Sequence, residues 1–294
     1  MTDDPYITDD AEGDDWRLML GDSCERLAEL EDESVDLSIY SPPFASLYTY
    51  SPSLRDLGNS HDREQFLVHY GYVIDHMLRL TKPGRLSCVH VMQLSTTKAT
   101  HGVIGLTDFR GQVIKAHQDA GWIYYGEITV DKDPQAQAIR TKAHCLMFQT
   151  LKRDSSGTRP ALADYVLLFR KPGENAVPIK NDVDNETWIE WARPIWRDIR
   201  ETDTLNYRSA REDADEKHIC PLQLPLIERC VRLWSNSGEL VCSPFAGIGS
   251  EGYVAVKHGR QFVGCELKAS YWATAVENLR NLDRQGSLLE SSPP

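Results

Sequence analysis

The sequence lacks any long hydrophobic run and any paired-cysteine motif. Its apolar stretches, such as residues 165–169, are far shorter than the roughly 20 residues that a membrane-spanning helix needs. The seven cysteines are an odd number with no C-x-x-C pair, which favours reduced thiols over a disulfide framework or a zinc site. The first residues are acidic, unlike the basic and then apolar start of a secretory leader. We therefore expect a cytoplasmic protein that binds no metal.

Two common catalytic signatures are also missing. The sequence contains no H-E-x-x-H motif, which would bring two histidines to one zinc ion. It contains no Gly-Lys pair either, and a Walker-type phosphate-binding loop requires one. These absences argue against a zinc centre of that type and exclude a Walker-type loop.

Net positive charge is missing too, because 32 Lys and Arg residues stand against 44 Asp and Glu residues, which gives −12. This balance excludes a simple basic nucleic-acid coat protein but not a local basic patch. Residues 132–171 carry eight basic and three acidic residues, whereas residues 174–216 carry six basic and twelve acidic ones. Residues 1–15 hold seven acids and no base, which predicts a disordered, solvated tail.

Strand and helix signals alternate along most of the chain. The residue patterns predict strands at 16–20, 35–40, 85–92, 122–130, 165–170, 239–245 and 261–266, and helices at 23–30, 63–80, 109–120, 222–234, 250–257 and 269–279. This alternation predicts an α/β fold with a mostly parallel sheet and helices on both faces. Residues 131–164 and 172–215 fit the pattern poorly and are predicted to form an insertion with its own task.

A glycine-rich turn joins a predicted strand to a predicted helix near the C-terminal end. It reads Ser-Pro-Phe-Ala-Gly-Ile-Gly over residues 243–249, and its glycines allow a tight turn and the close approach of a ligand to the backbone. The next strand ends at Glu266, 17 residues beyond Gly249, where an acid can hydrogen-bond ribose hydroxyls. Gly252 completes a G-x-G-x-x-G pattern, so the turn alone leaves a nicotinamide dinucleotide open as the cofactor.

A second turn, Ser41-Pro42-Pro43-Phe44, follows the predicted strand at 35–40. Its two prolines fix φ and remove two N–H donors, while the carbonyl oxygens stay available as acceptors. The Ser41 hydroxyl and the Pro42 carbonyl could each accept an N–H from an exocyclic amino group, and Phe44 could stack on a planar base. A plain strand-terminating turn is the other interpretation.

Together, the two turns resemble the signature of the amino-group DNA methyltransferases, which use S-adenosyl-L-methionine to methylate cytosine N4 or adenine N6. The resemblance covers roughly residues 14–285 and implies a Rossmann-like methyltransferase fold. Residues 41–44 resemble the catalytic motif of the family, and serine in its first place is the form associated with cytosine N4. The catalytic motif precedes the cofactor loop, which resembles the motif order of the β subclass.

The resemblance also implies a set of cofactor-binding residues. The turn at 243–249 resembles the methionine-binding loop of the family, which gives the loop residues Ser243, Pro244, Phe245, Gly247 and Gly249. Glu266 matches the ribose-binding acid, Asp22 matches an acid near the cofactor adenine, and His218 lies in a segment that closes over the methionine end. The family loop usually begins with aspartate, so Ser243 is a departure that removes a negative charge near the sulfonium. Asp22 also fits a helix N-cap, and His218 also fits a helix-start residue without a ligand.

The implied substrate is double-stranded DNA. Residues 131–215 are then the predicted target-recognition region, between a catalytic half at 14–130 and a cofactor-binding half at 216–285, with tails at 1–13 and 286–294. Weaker candidates for DNA contacts, each of which also fits a plain surface loop, are Tyr48, Arg55, Lys152, Arg153 and Arg159. A homodimer and a cognate restriction nuclease are open as partners.

Three alternatives stay open beside a cytosine-N4 enzyme. The adenine-N6 enzyme uses the same scaffold and is separated from it only at Ser41. A nicotinamide-dependent oxidoreductase fits Gly252 but leaves residues 41–44 unexplained. A catalytically idle DNA-binding module fits the altered Ser243 and the net charge of −12. A cytosine-C5 enzyme is disfavoured, because it needs a cysteine nucleophile, typically after proline, and the chain has no Pro-Cys dipeptide.

Overall fold

A computed structural model describes residues 6–43, 63–96, 98–141, 146, 155–206 and 221–290. The strands of this part are β1 (Asp9–Glu12), β2 (Trp16–Leu20), β3 (Val35–Tyr40), β4 (Thr81–Met92), β5 (Leu94–Thr96), β6 (Gly105–Thr107), β7 (Ile123–Val130), β8 (Asp164–Arg170), β9 (Ile195–Trp196), β10 (Leu240–Ser243) and β11 (Gln261–Glu266). The helices are α1 (Ser23–Leu27), α2 (Arg63–Leu80), α3 (Lys98–His101), α4 (Phe109–Asp119), α5 (Pro134–Thr141), α6 (Asn185–Trp191), α7 (Leu224–Trp234), α8 (Ser250–Lys257) and α9 (Ala269–Glu290). In the described residues, no helix combines the length and the apolar character that crossing a membrane requires.

The described strands build one large sheet with the order β1-β2-β11-β10-β3-β4-β8-β7-β9. Its middle strands β2, β11, β10, β3 and β4 are parallel to one another. β8 is antiparallel to both of its neighbours, β4 and β7, so β7 runs in the same direction as β4. The mostly parallel α/β sheet that the alternating pattern predicts is thereby confirmed.

Helices cover both faces of the sheet because its strands are apolar on both sides. Every residue of β3 is buried. On one face, Leu226 of α7 and Val254 of α8 belong to the same buried cluster as Leu37 of β3. On the other face, Phe66 of α2 and Val113 of α4 lie in a second buried cluster. The result is a three-layer arrangement whose functional residues must lie at the strand ends.

The chain reverses its direction of travel across the sheet between β10 and β3. From β3 it passes through α2 to β4 on one side, and from β10 it passes through α8 to β11 on the other. At such a switch point the carboxyl ends of neighbouring parallel strands leave a crevice that ligands occupy. Residues 41–43 follow β3 and the turn at 243–249 follows β10, so both turns begin at this crevice.

The acidic N-terminal segment differs from the predicted tail. Asp9–Glu12 forms β1, which pairs antiparallel with β2. Asp10 accepts a hydrogen bond from Nε of Arg17 at 2.9 Å and forms an ion pair with Arg26. The expectation of a disordered tail over residues 1–13 is therefore wrong for β1. Composition alone predicts that these acidic side chains are solvated, whereas Asp10 pairs with two arginines from other parts of the fold.

Two domain boundaries also need correction. β8 lies inside the range 131–215, yet it is hydrogen-bonded on both sides within the main sheet. The range is therefore not one separate insertion, since the segments before and after β8 flank a core strand. At the C-terminal end, α9 continues to Glu290, past the boundary that separates 216–285 from a tail at 286–294.

Candidate active site and cofactor site

The first candidate turn places Ser41 beside the end of the neighbouring strand. β3 and β4 are parallel, with Tyr40 opposite Val89, so the next residue along β3 lies beside His90. The Ser41 hydroxyl donates to the carbonyl oxygen of His90 at 3.1 Å, and the same Oγ lies 3.3 Å from Nδ1 of His90. Ser41 is half-buried, and its oxygen lies against the end of β4.

An aromatic contact ties this turn to the cofactor loop. The rings of Tyr40 and Phe245 meet edge to face, with centroids 5.9 Å apart. Pro42 is buried and Pro43 is half-buried, which fixes the turn against the sheet. The two sequence motifs, about 200 residues apart along the chain, therefore meet at one crevice.

Three polar side chains form a buried chain behind Ser41. Nε2 of His90 lies 3.0 Å from Oδ2 of Asp164, and Nζ of Lys132 lies 2.7 Å from the same oxygen. All three residues are buried. Burial raises the pKa of Asp164, but the hydrogen bond and charge of His90 and the charge of Lys132 outweigh it, so this pKa lies below its ordinary value. Asp164 is therefore ionised at neutral pH and can orient the histidine ring.

The second candidate turn needs its glycines for backbone geometry. Gly247 has a φ of 53° and Gly249 a φ of 83°, in the left-handed region that disfavours side chains. A Cβ at Gly249 would also lie 3.0 Å from the Cβ of Ala275. The N–H of Gly247 donates to Oε2 of Glu266 at 2.8 Å. The acid at the end of β11 thus holds the loop that follows β10.

Two separate segments converge on this loop. The N–H of Gly21 donates to the carbonyl oxygen of Glu266 at 2.8 Å. The hydroxyl of Ser23 donates to the carbonyl oxygen of Pro244 at 2.5 Å. Between them, Asp22 caps α1 with its side chain, so the N-cap interpretation of this residue is correct. The structure therefore brings Asp22, the loop and Glu266 to one place.

Two polar side-chain atoms at this loop are buried and have no hydrogen-bond partner among the described residues. These atoms are Oγ of Ser243 and Oγ of Ser250. Next to Ser250, burial raises the pKa of Glu251 to about 8, and the nearby charge of Glu266 adds to the effect. Buried polar groups are almost always paired in proteins, so these atoms fit a site that is completed by a polar ligand.

Arg159 has contacts within the protein. Its guanidinium donates to Oγ of Ser95 at 2.7 Å and to the carbonyl oxygen of Gly105 at 3.3 Å. It therefore joins the small two-stranded β5–β6 sheet to the segment that precedes β8. Its role as a DNA contact stays a prediction.

Six candidate site residues lie outside the described residues. They are the catalytic candidate Phe44, the cofactor candidate His218 and the DNA-contact candidates Tyr48, Arg55, Lys152 and Arg153.

Sequence reasoning missed one part of the site, the group of three linked side chains His90, Asp164 and Lys132. Each residue carries only a weak signal, since His90 is a polar residue within an apolar strand and Asp164 directly precedes the predicted strand at 165–170. Their meeting depends on the order of β4, β8 and β7, which alternating patterns do not specify.

The family is shown by comparison with known sequences. The sequence model of the N6/N4 DNA methylases, described as DNA methylase, matches residues 35–277. The chain belongs to this family. It is 46% identical over 268 residues to the type II methyltransferase M1.MboII of Moraxella bovis, and the match covers 83% of this chain and 89% of that protein. The match to M.BglI of Bacillus subtilis, at 26% identity, covers 56% of this chain and 41% of that protein, so the chain spans less than half the length of that relative.

Solved structures share the fold of this methylase. A candidate DNA modification methylase of Thermus thermophilus, solved with S-adenosyl-L-methionine, has a TM-score of 0.66 at 24% identity, covering 90% of this chain and 94% of that one. The PvuII DNA methyltransferase, described as cytosine-N4-specific, has a TM-score of 0.64 at 17% identity, covering 92% of each chain. The cofactor is S-adenosyl-L-methionine, and the hydroxyls of Ser243 and Ser250, which find no partner among the described residues, fit a ligand that is polar at several positions.

Replacing Glu266 with glutamine is expected to weaken S-adenosyl-L-methionine binding about 10- to 100-fold. The Glu266 carboxylate accepts the N–H of Gly247 at 2.8 Å and the N–H of Lys268 at 2.9 Å. A glutamine amide would turn an NH₂ toward one of these donors, and a hydrogen bond to a charged group contributes about 1.5–3 kcal/mol. Calorimetric titration of the protein without DNA gives the Kd. Glu277→Gln removes an exposed charge from α9 and is the control, so equal affinity in both variants would contradict the assigned role.

Proposed function

We propose that this methylase transfers the methyl group to N4 of a cytosine in duplex DNA. The observation that carries the proposal is Ser41, a neutral hydroxyl at the switch-point crevice that contacts His90. It directly follows Tyr40, whose ring contacts Phe245 of the loop at 243–249. Serine in this place of the motif is the form associated with cytosine N4 in the family. The cytosine-N4-specific description of the PvuII enzyme, which shares the fold, is consistent with this assignment.

The proposed mechanism begins with removal of the target base from the DNA stack. An exocyclic amino group inside a duplex cannot reach the bottom of a crevice, so the nucleotide must rotate out. Its amino lone pair is delocalised into the ring and is a weak nucleophile. Ser41 Oγ and the Pro42 carbonyl oxygen accept the two N–H groups and draw the nitrogen toward a tetrahedral geometry, which localises the lone pair.

The bound cofactor supplies an electrophilic methyl group, and the chain supplies position and electrostatics. A covalent protein intermediate is not required, and the cysteines of the described residues are poorly suited to form one. The described cysteines are buried or half-buried. Cys242 directly precedes Ser243, and burial raises the pKa of its thiol to about 12, so it stays a neutral thiol at physiological pH. A thiol is a poor nucleophile compared with a thiolate, which favours direct transfer between cofactor and base.

The experiment is to identify the methylated nucleoside. The protein is incubated with unmethylated DNA of mixed sequence and with cofactor that carries a deuterated methyl group. The DNA is digested to nucleosides, and the products are resolved by mass spectrometry. The deuterium label separates new methylation from any that the DNA already carries, and Ser41→Ala prepared in parallel controls for contaminating enzymes.

Labelled N4-methyldeoxycytidine is the expected product. Labelled N6-methyldeoxyadenosine would overturn the base assignment while keeping the family and the crevice. If no labelled nucleoside forms although the cofactor binds, the result would favour an idle DNA-binding module. Cofactor binding is checked separately by the rise in Tm that a ligand of the folded state produces.

A further inference from the structure

We propose that His90, held by Asp164 and Lys132, receives through Ser41 the proton that the amino group loses on methylation. This inference rests on the proposed amino methylation at Ser41. His90 contacts Ser41 and acts on the substrate through it, so it is a positioning residue that also acts as a proton acceptor.

Strand order alone accounts for the meeting of these residues. His90 pairs with Val166 across β4 and β8, and Asp164 is the diagonal neighbour two residues before Val166 on the same face. Such diagonal neighbours lie within reach of long side chains. Asp164 also pairs with Val130 of β7, and Lys132 follows two residues later. β3, β4 and β7 end at the edge where β8 begins, so the whole chain of contacts lies at the edge that carries Ser41.

The contacts define which nitrogen of His90 carries the proton. Because Asp164 is ionised, its Oδ2 accepts a proton from Nε2 of His90 at 3.0 Å. In the neutral ring, the other nitrogen is then an acceptor. Nδ1 lies 3.3 Å from Oγ of Ser41, and no atom of the described residues other than Oγ is hydrogen-bonded to it. The tautomer therefore directs a lone pair of the ring at the Ser41 hydroxyl.

The proton step balances without any further reactant. After methylation, the amino nitrogen carries a positive charge and must lose one N–H proton. That N–H bond breaks, its electron pair returns to nitrogen, and the proton passes to Ser41 Oγ. The Ser41 hydroxyl, which donates to the carbonyl oxygen of His90 in the structure, turns to Nδ1 of the same residue, 3.3 Å away. Its proton passes there at the same time, so Ser41 ends neutral. The imidazolium that forms has the Asp164 carboxylate as its partner, and the methylated base leaves uncharged.

The same three residue types occur in nucleophilic serine triads, but the geometry here is different. In such triads the serine faces Nε2 and the carboxylate accepts from Nδ1. Here Ser41 faces Nδ1 and Asp164 faces Nε2. The two residues after Ser41 are prolines, which have no N–H to stabilise an oxyanion. A proton relay fits these contacts, and a covalent serine intermediate does not.

The test compares four variants by their rate of methyl transfer in a single turnover, measured across a range of pH. His90→Asn keeps a side-chain oxygen near Ser41 but cannot take up a proton, and it is expected to slow transfer about 100-fold. His258→Asn is its control, because His258 caps the far end of α8, away from the crevice. The other two variants, Asp164→Asn and Lys132→Met, alter the charge around His90 without contacting Ser41.

The acid limb of the pH profile separates the relay from a structural role. Within the described residues, the charged groups that face His90 are Asp164 directly and Lys132 through the same carboxylate oxygen. Asp164→Asn removes the anion that stabilises the imidazolium, so the acid limb moves to lower pH. Lys132→Met removes a competing cation, so the acid limb moves to higher pH. A structural role would not move the two variants in opposite directions.

A second readout does not depend on activity. NMR of isotope-labelled histidine should show the His90 ring as the Nε2–H tautomer, identified by the signal that disappears in His90→Asn. Asp164→Asn should lower the population of this tautomer. Two results would overturn the relay alone. In the first, the wild type methylates DNA and the acid limb is the same in Asp164→Asn and Lys132→Met as in the wild type. In the second, the His90 ring of the wild type is the Nδ1–H tautomer. Absence of methylation by the wild type would overturn the proposed function and the relay with it.

Discussion

Ser41→Ala is expected to reduce the rate of methyl transfer by about 10²–10³ and to leave the Kd for S-adenosyl-L-methionine within about threefold of the wild type. A rate reduction of about 10²–10³ is the usual effect of removing one fixed hydrogen-bonding group from a site that stabilises charge. Ser41 contacts His90 at the end of β4, whereas the cofactor residues lie after β10 and β11. Single-turnover transfer and calorimetric titration measure the two quantities.

Ser38→Ala is a matched control for this substitution. Ser38 lies on the same strand, and its buried hydroxyl donates to Oγ of Ser87 at 2.7 Å, inside the sheet rather than at its edge. Its loss should lower stability modestly and leave the transfer rate within about threefold. If Ser41→Ala transfers methyl groups as fast as Ser38→Ala, then the Ser41 hydroxyl does not accept from the substrate amino group.

That the two turns lie at the same edge of the sheet could be predicted from the sequence, because it depends on strand direction alone. Residues 41–44 and 243–249 each follow an apolar strand, and parallel strands present their carboxyl ends at one edge. An alternating pattern of strands and helices therefore determines the edge at which each turn lies, whatever the order of the strands. The contact between Tyr40 and Phe245 depends on β3 and β10 being neighbours, which the alternating pattern does not specify.

The residues behind Ser41 could not be predicted in this way. Asp164 reaches His90 only because β8 enters the sheet antiparallel beside β4, and a single strand pattern carries no direction. The acidic strand β1 shows a similar limit, since Asp10 is neutralised by Arg26, a residue beyond β2 along the chain. Composition treats such charges as solvated, and only the tertiary arrangement pairs them.

Asp36→Ala is expected to lower the free energy of unfolding by about 3–5 kcal/mol, the usual cost of removing one partner from a buried ion pair. Oδ1 of Asp36 accepts from Nζ of Lys82 at 2.7 Å and from Nη2 of Arg85 at 3.3 Å. Its other oxygen accepts the N–H of Leu240 at 3.0 Å. Arg85, itself buried, also contacts Glu239. The substitution would leave a buried guanidinium with one partner fewer and a strand N–H without its acceptor.

The position of this cluster explains why stability should fall while binding does not. Asp36 lies at the start of β3, Arg85 lies in β4, and Leu240 begins β10, so the cluster joins the strands on both sides of the switch point. It does so at the edge opposite to Ser41 and the cofactor loop. Urea unfolding measures the loss of stability, and titration at low temperature should find that the folded variant binds the cofactor with an unchanged Kd.

Asp119→Ala is the control, because it removes an exposed ion pair with Lys115 that contributes at most about 0.5 kcal/mol. A loss of the same small size for Asp36→Ala would mean that backbone pairing and apolar packing alone hold β3 against β10, and that the crevice between them does not depend on the buried charges.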